Sequence, residues 1–315
     1  MAEHELLPGA KTVHWGYLDA SLPPVLEIDD GDIVTVHSVS GSREEAPYGN
    51  SAIRPELRAI HRALSPELGP HILTGPIHVK GAVPGDTLKI DILDVSLRDD
   101  WGYNIIRPDK GVLPEDFHKP HTVHFGIDKT SGTIIAPWGG MLQARPFFGV
   151  ISTAPKPEDG RRTSIEPGYF GGNLDNKELV AGSTLYLPVS VDGALVSIGD
   201  GHAAQGDGEV CLTAVETGLT GRFRLTLLKA EYPRSLYAET QTHLIAMGFG
   251  DTIDSAVRQA VANAISLICG RTGMSAANAY TLCSVASDVR ITQLVNVVKG
   301  AHVMIPKSAF PPAKP

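Results

Sequence analysis

One stretch of fifteen residues, Ser197-Ile-Gly-Asp-Gly-His-Ala-Ala-Gln-Gly-Asp-Gly-Glu-Val-Cys211, constrains this chain more than any other. It sets Asp200, His202, Asp207, Glu209 and Cys211 among four glycines, flanked by the apolar, strand-like runs 184–191 and 210–215. A loop slung between two strands would carry these side chains on a backbone able to take unusual dihedrals. Carboxylates and an imidazole at this density need either water or a partner, because an unpaired charge is costly to bury. A solvated glycine-rich loop meets the first need; a metal-centred hydrolytic site meets the second.

The rest of the chain predicts a β-rich body, mainly β in an α+β arrangement. Its 33 glycines and 23 prolines suit turns and disfavour helix interiors. Alternation or apolar content predicts strands over 12–17, 25–28, 33–37, 77–80, 87–93, 147–151, 222–228, 243–249, 288–296 and 301–305. Three times a Gly-Asp or Gly-Ser turn precedes such a run, at 31–32, 85–86 and 182–183, which suggests duplicated strand units of irregular period. Ile53, Leu57, Ile60, Leu64 and Leu68 have helical spacing. A helical pair near the C-terminus is expected within 251–286: one helix over 255–269, capped from Asp251 to Asp254 and ended at Gly270, and a second over 276–285. About 35 residues cannot bury a core alone, so the pair should pack on the sheets. Residues 96–145 and 154–168 read as elaborate loops and 310–315 as a loose end. No linker divides residues 1–315, which predicts one domain, or two intimately packed β subdomains.

With 42% hydrophobic and 20% charged residues the chain suits a soluble globular protein, and a formal charge of −8 argues against a nucleic-acid partner. Three cysteines, an odd and sparse set, predict reduced thiols in a cytoplasmic setting. The acidic start Met-Ala-Glu-His-Glu carries no apolar signal, and the longest apolar run, 260–269, is too short for a bilayer, so no membrane partner is expected.

Several ordered segments resemble the acetamidase/formamidase family. They are Leu73-Thr-Gly-Pro76 with 79–86, Gly171-Gly-Asn-Leu-Asp175, 193–211, 213–216, 279–285 with Asp288, and 291–300. The resemblance spans about residues 73–300 and its central run is specific. It implies hydrolysis of short linear amides to a carboxylate and ammonia, on a β-rich fold with a few helices that forms homo-oligomers. It also implies a divalent metal, zinc most often and sometimes calcium.

An amide needs an activated water and a polarised carbonyl, and a divalent metal provides both. Asp200 and His202 are two apart, a spacing that puts both on one face of a strand end. Asp175 is the third expected ligand, with an Asx-turn carboxylate as its alternative, and His37 and His71 are weaker candidates. Glu209 is expected as general base and acid. Asp207 is expected beside it, or as the partner that orients His202. Glu216, at odd spacing from Glu209, should face away and join a structural ion pair. The glycine amides at 199, 201, 206 and 208 are candidate oxyanion donors. His121 and His124 lie on opposite faces if extended, which disfavours a shared metal. Cys211 reads as a buried structural thiol, with a nucleophilic thiolate as the alternative. The alternatives to a formamide or acetamide hydrolase are a hydrolase of another small amide, or a non-catalytic protein that binds a small molecule or metal.

Overall fold

A computed structural model describes residues 1–47, 53–229 and 235–310. It is 39% strand and 15% helix. The expected tail at 311–315 and part of the segment leading into the strand near 237 lie outside the described residues.

The largest sheet has nine strands in the order Glu3–Leu6, Ile33–His37, Leu219–Leu228, Thr87–Leu97, Thr184–Pro188, Tyr237–Glu239, His243–Gly250, Lys299–Pro306 and Asp288–Gln293. All three turn-led strands lie in it, at 33–37, 87–97 and 184–188. The Leu219–Leu228 strand shows why the sheet forms. Leu219, Phe223, Leu225 and Leu227 are buried, while Thr220, Arg222, Arg224 and Thr226 alternate with them. A six-stranded sheet faces it, running Gly171–Asn173, Phe147–Ser152, Val196–His202, Ile72–Val79 and Val13–Trp15, with Leu26–Ile28 added parallel to Ile72–Val79. Side chains from both sheets, among them Ile90, Ile92, Phe223, Leu225, Ile77, Ile151, Val196 and Ile198, make the main core. Phe148 and Phe223 meet edge to face at 5.5 Å across it.

The outer face of the large sheet is covered by helices Ile253–Thr272 and Ala276–Ala286. The first begins at a reciprocal cap: Ser255 N donates to Thr252 Oγ1 at 3.2 Å and Thr252 N to Ser255 Oγ at 3.1 Å. It runs through the expected stop at Gly270 and ends at Gly273, whose φ of 70° closes the helix. An exposed glycine is tolerated within a helix; the left-handed residue is what ends it. The helix expected from residue 54 covers only Pro55–Ala63, with proline at its first turn.

Three expectations are corrected. Residues 96–145 are not mainly loop. Trp101–Ile106, His121–Asp128, Thr133–Ile135 and Met141–Gln143 form a four-stranded sheet, hidden in the sequence because His121–Asp128 buries only Phe125 and Ile127 and Met141–Gln143 buries none of its residues. The opening stretch is not a loop throughout: Val196–His202 is a strand with all seven residues buried. Its glycines mark close approach, since a Cβ on Gly199 would lie 2.5 Å from Ile72 O and one on Gly201 2.4 Å from Thr217 O. Conversely 210–215 is irregular, not a strand.

Candidate active site

The buried end of the Val196–His202 strand carries the site. Asp200 takes a left-handed φ of 60°, and its Oδ2 lies 3.3 Å from His202 Nε2. The strand Gly171–Asn173 leads into a turn where Asp175, at φ 47°, sets its Oδ1 3.9 Å from the same nitrogen. Glu209 sits at φ 48° in the loop that follows the strand. Three non-glycine carboxylate residues in a sparsely populated backbone region mark strain gathered at one place. Glu216 completes the group: its backbone pairs with Tyr103 in both directions at 2.8 and 3.0 Å, and its Oε1 stands 3.2 Å from His202 Nε2. From the strand Ile72–Val79 side, His71 Nε2 lies 3.9 Å from Asp200 Oδ2.

Asp175, Asp200, His202, Glu209 and Glu216 are each between 1% and 7% exposed. Gly149, on the adjacent strand Phe147–Ser152, gives them room. A Cβ there would lie 2.3 Å from Asp200 Oδ2 and 2.5 Å from Asp175 Oδ1. The group forms the floor of a cavity of about 180 Å³ whose walls include Ile72, Ile105, Leu212 and Val295.

Four buried carboxylates around one imidazole set the electrostatics. Burial, joined by repulsion from Asp175, drives the Glu209 carboxyl well above its ordinary value. Burial also raises Glu216, to about 8, with Asp200 adding to it and His202 opposing it. Burial raises Asp175 too, against the attraction of His202. Burial would also raise Asp200, but His71 and His202 outweigh it and hold that carboxyl below the usual range. Burial lowers His202, yet Glu216 and Asp200 overcome it and the imidazole is raised well above its usual value. The arrangement attracts positive charge.

Two sets of ligating atoms lie within 4.8 Å of one another: Asp175, Asp200 and His202, and His202, Glu209 and Glu216. Asp175 Oδ1 and Glu209 Oε2 are buried with no hydrogen-bond partner among the described residues, so a cation would satisfy them. The residues fit a divalent ion bound by carboxylate oxygen and imidazole nitrogen.

Asp207 is not brought to the group. It is 47% exposed and pairs with Lys177 at 2.8 Å, because the glycines on either side turn it outward. The partner on His202 Nδ1 is Gln205, at 2.9 Å. Glu216 does not face away; the parity that predicted this assumed a strand through 210–215 where the chain is irregular. His37 bonds Thr220 and Glu5, and His124 bonds the Glu45 carbonyl, apart from the cluster. His121 is exposed on the rim sheet. Cys211 is half-buried, in contact with the Asn104 amide at 3.2 Å. Of the candidate oxyanion amides, Gly208 N already donates to Ile291 O at 3.1 Å. Asn296, which donates to Asp175 Oδ2 at 2.7 Å, carried no sequence signal of its role beyond lying in a resembling segment.

The Acetamidase/Formamidase family profile matches residues 18–158 and 157–311. A putative formamidase of Schizosaccharomyces pombe is 33% identical over 242 residues, covering 60% of this chain and 57% of the relative. A formamidase of Methylophilus methylotrophus is 31% identical, covering 44% and 47%. The chain thus spans about half the length of the curated relatives it matches. The crystal structure of an acetamidase from Bacillus halodurans superposes with a TM-score of 0.83 at 30% identity, covering 96% of this chain and 97% of that one. No described helix is long and apolar enough to cross a membrane. The ordered motifs, the sheet architecture and the matched profile agree, and the chain belongs to the acetamidase/formamidase family.

Proposed function

We propose that this chain hydrolyses a short primary amide, formamide or acetamide, to a carboxylate and ammonia with the help of a divalent cation. The observation that carries the reading is the buried cluster of four carboxylates around His202, opening on a cavity of about 180 Å³. Names borne by relatives, formamidase and acetamidase, agree with it.

When bound, a divalent cation supplies Lewis-acid polarisation of a carbonyl and acidifies water. Asp175, Asp200 and His202 would hold it. Glu209 takes a proton from the attacking water and returns it to the departing nitrogen. Its carboxyl is raised by burial and by Asp175, so it is protonated readily in the middle of the cycle. Glu216 keeps the imidazole oriented through its 3.2 Å contact. Asn296 fixes the Asp175 carboxylate from behind. The apolar walls limit the acyl group to a small one and exclude bulk water. The resemblance implies zinc, with calcium as the alternative, and a homo-oligomer, and the three sparse cysteines point to the cytoplasm.

Ammonia release from a panel of amides, with and without added zinc and after dialysis against a chelator, tests the reading. Release from formamide or acetamide that chelation abolishes and zinc restores supports it. Release only from a different small amide moves the substrate, and no release from any amide leaves a binding protein. Activity that survives chelation but not alkylation would transfer the chemistry to Cys211.

A further inference from the structure

We infer that Gln205 selects the form of His202 that can bind the cation, making it a positioning residue for the site; this rests on the cation-dependent reading above. A neutral imidazole carries its hydrogen on one nitrogen and a lone pair on the other, and only the lone pair ligates. Which nitrogen is left free depends on the partner of the other.

The orientation of the Gln205 amide is fixed by its surroundings. Its Nε2 donates to the Asp175 carbonyl at 2.8 Å and more weakly to the Thr292 carbonyl at 3.4 Å. Backbone carbonyls only accept, so the nitrogen must be on that side and the oxygen on the other. Gln205 Oε1 then accepts from His202 Nδ1 at 2.9 Å, which requires hydrogen on Nδ1. Nε2 is then the nitrogen that faces Asp200, Glu216 and Asp175, at 3.3, 3.2 and 3.9 Å, and the one left to ligate when a cation displaces its hydrogen. One amide therefore sets both the identity of the ligating nitrogen and, through the Asp175 carbonyl, the position of a second ligand. Asp207, expected from the sequence in this role, is paired to Lys177 instead. His71 is held in the same manner, its Nδ1 3.0 Å from the Ser164 carbonyl.

Partners that orient a ligating histidine typically contribute 10- to 100-fold to metal affinity. The test is zinc affinity, measured by competition with a chromophoric chelator on the purified full chain, together with the thermal midpoint of the zinc-free protein. Gln205→Met keeps the volume and removes both functions; it should weaken zinc by about 10- to 100-fold. Gln205→Glu keeps an acceptor for Nδ1 and loses the donors to the two carbonyls; it should bind within about threefold of wild type. If Gln205→Met binds zinc like wild type, the inference is wrong. If Gln205→Glu loses as much affinity as Gln205→Met, the amide only braces the backbone and the selection of the nitrogen is overturned. If Gln205→Met does not fold, a loss of about 10-fold or more in Gln205→Glu against wild type overturns the selection by itself. Wild-type protein that takes up no zinc or other divalent ion overturns the cation reading itself, a result distinct from either failure of Gln205.

Discussion

Around His202, five ionisable side chains are buried within a few ångströms of one another, three of them on left-handed backbone. Around Ala260, by contrast, Ala256, Ala260, Ala264 and Ala279 meet Ala246, Ala301 and Val303 with no buried charge among them, and the helix over them starts at a reciprocal cap. The second region satisfies every local preference. The first violates several at once, and its compensation has to come from the surrounding sheets and, on the proposed reading, from a cation. Well-packed apolar regions hold a fold, and the stability they provide is what tolerates a strained polar site elsewhere.

The sharpest way to break this contrast is Glu209→Gln. Turnover should fall roughly 10³-fold, read as ammonia release. Meanwhile the thermal midpoint of the cation-free protein should rise, because burial and Asp175 both oppose a charge on the carboxyl that the amide replaces. A lowered midpoint would mean that the cluster stabilises the fold and that the contrast is false. Acid comes next, and it acts on both regions. Burial holds His14, on the Val13–Trp15 strand, and His302, on the Lys299–Pro306 strand, at about 4. Their folded-state values lie below the ordinary 6.5, so the unfolded chain binds protons first. Stability from these groups is complete above about pH 6.5 and is lost as pH falls toward 4, on the order of 3 kcal/mol per histidine. Urea unfolding across that window measures it, and a flat profile would contradict it.

Gly248→Ala tests the apolar region alone. The added Cβ would lie 2.2 Å from Ala260 N and 2.4 Å from Ala256 O. Stability should drop by about 1–3 kcal/mol, with turnover per folded molecule unchanged. Thr252→Ala removes one half of the helix cap and should lower stability by about 1 kcal/mol in the same assay. The smallest effect belongs to Asp207→Ala, which should alter turnover by less than about twofold, as expected for an exposed surface pair. A larger loss would return Asp207 to the chemistry.

The apolar region was the more legible of the two. Val257, Val261, Ala264 and Ile268 repeat at helical spacing, and Ser275 announces the second helix, because local rules there agree with the final structure. The site was legible in composition but not in geometry. Asp200, His202 and Asp175 converge, and the Gly-Gly before Asn173 and Leu174 pointed to Asp175. Glu216 was assigned to the wrong side because alternation was extrapolated through residues that form no strand. Asp207 turns outward to Lys177, since nearness in sequence to His202 says nothing about which way a glycine-flanked residue turns. Gln205 and Asn296 carry no charge, so neither stood out, although their amides determine how the charged groups sit. The four-stranded sheet within 96–145 carries little signal because His121–Asp128 buries only Phe125 and Ile127 and Met141–Gln143 buries none of its residues.

The loop that bears Glu209 is stitched to the last strand of the large sheet: Gly208 N donates to Ile291 O at 3.1 Å and Leu294 N to Gly208 O at 2.9 Å. Thr292 and Asn296 add their own contacts to Gln205 and Asp175. A growing polypeptide emerging from the ribosome therefore has the acidic residues long before it has the means to arrange them. The pocket cannot close until residue 296 is free to fold back, so a stop upstream of that strand yields a chain with the motif but with its acidic side chains unarranged.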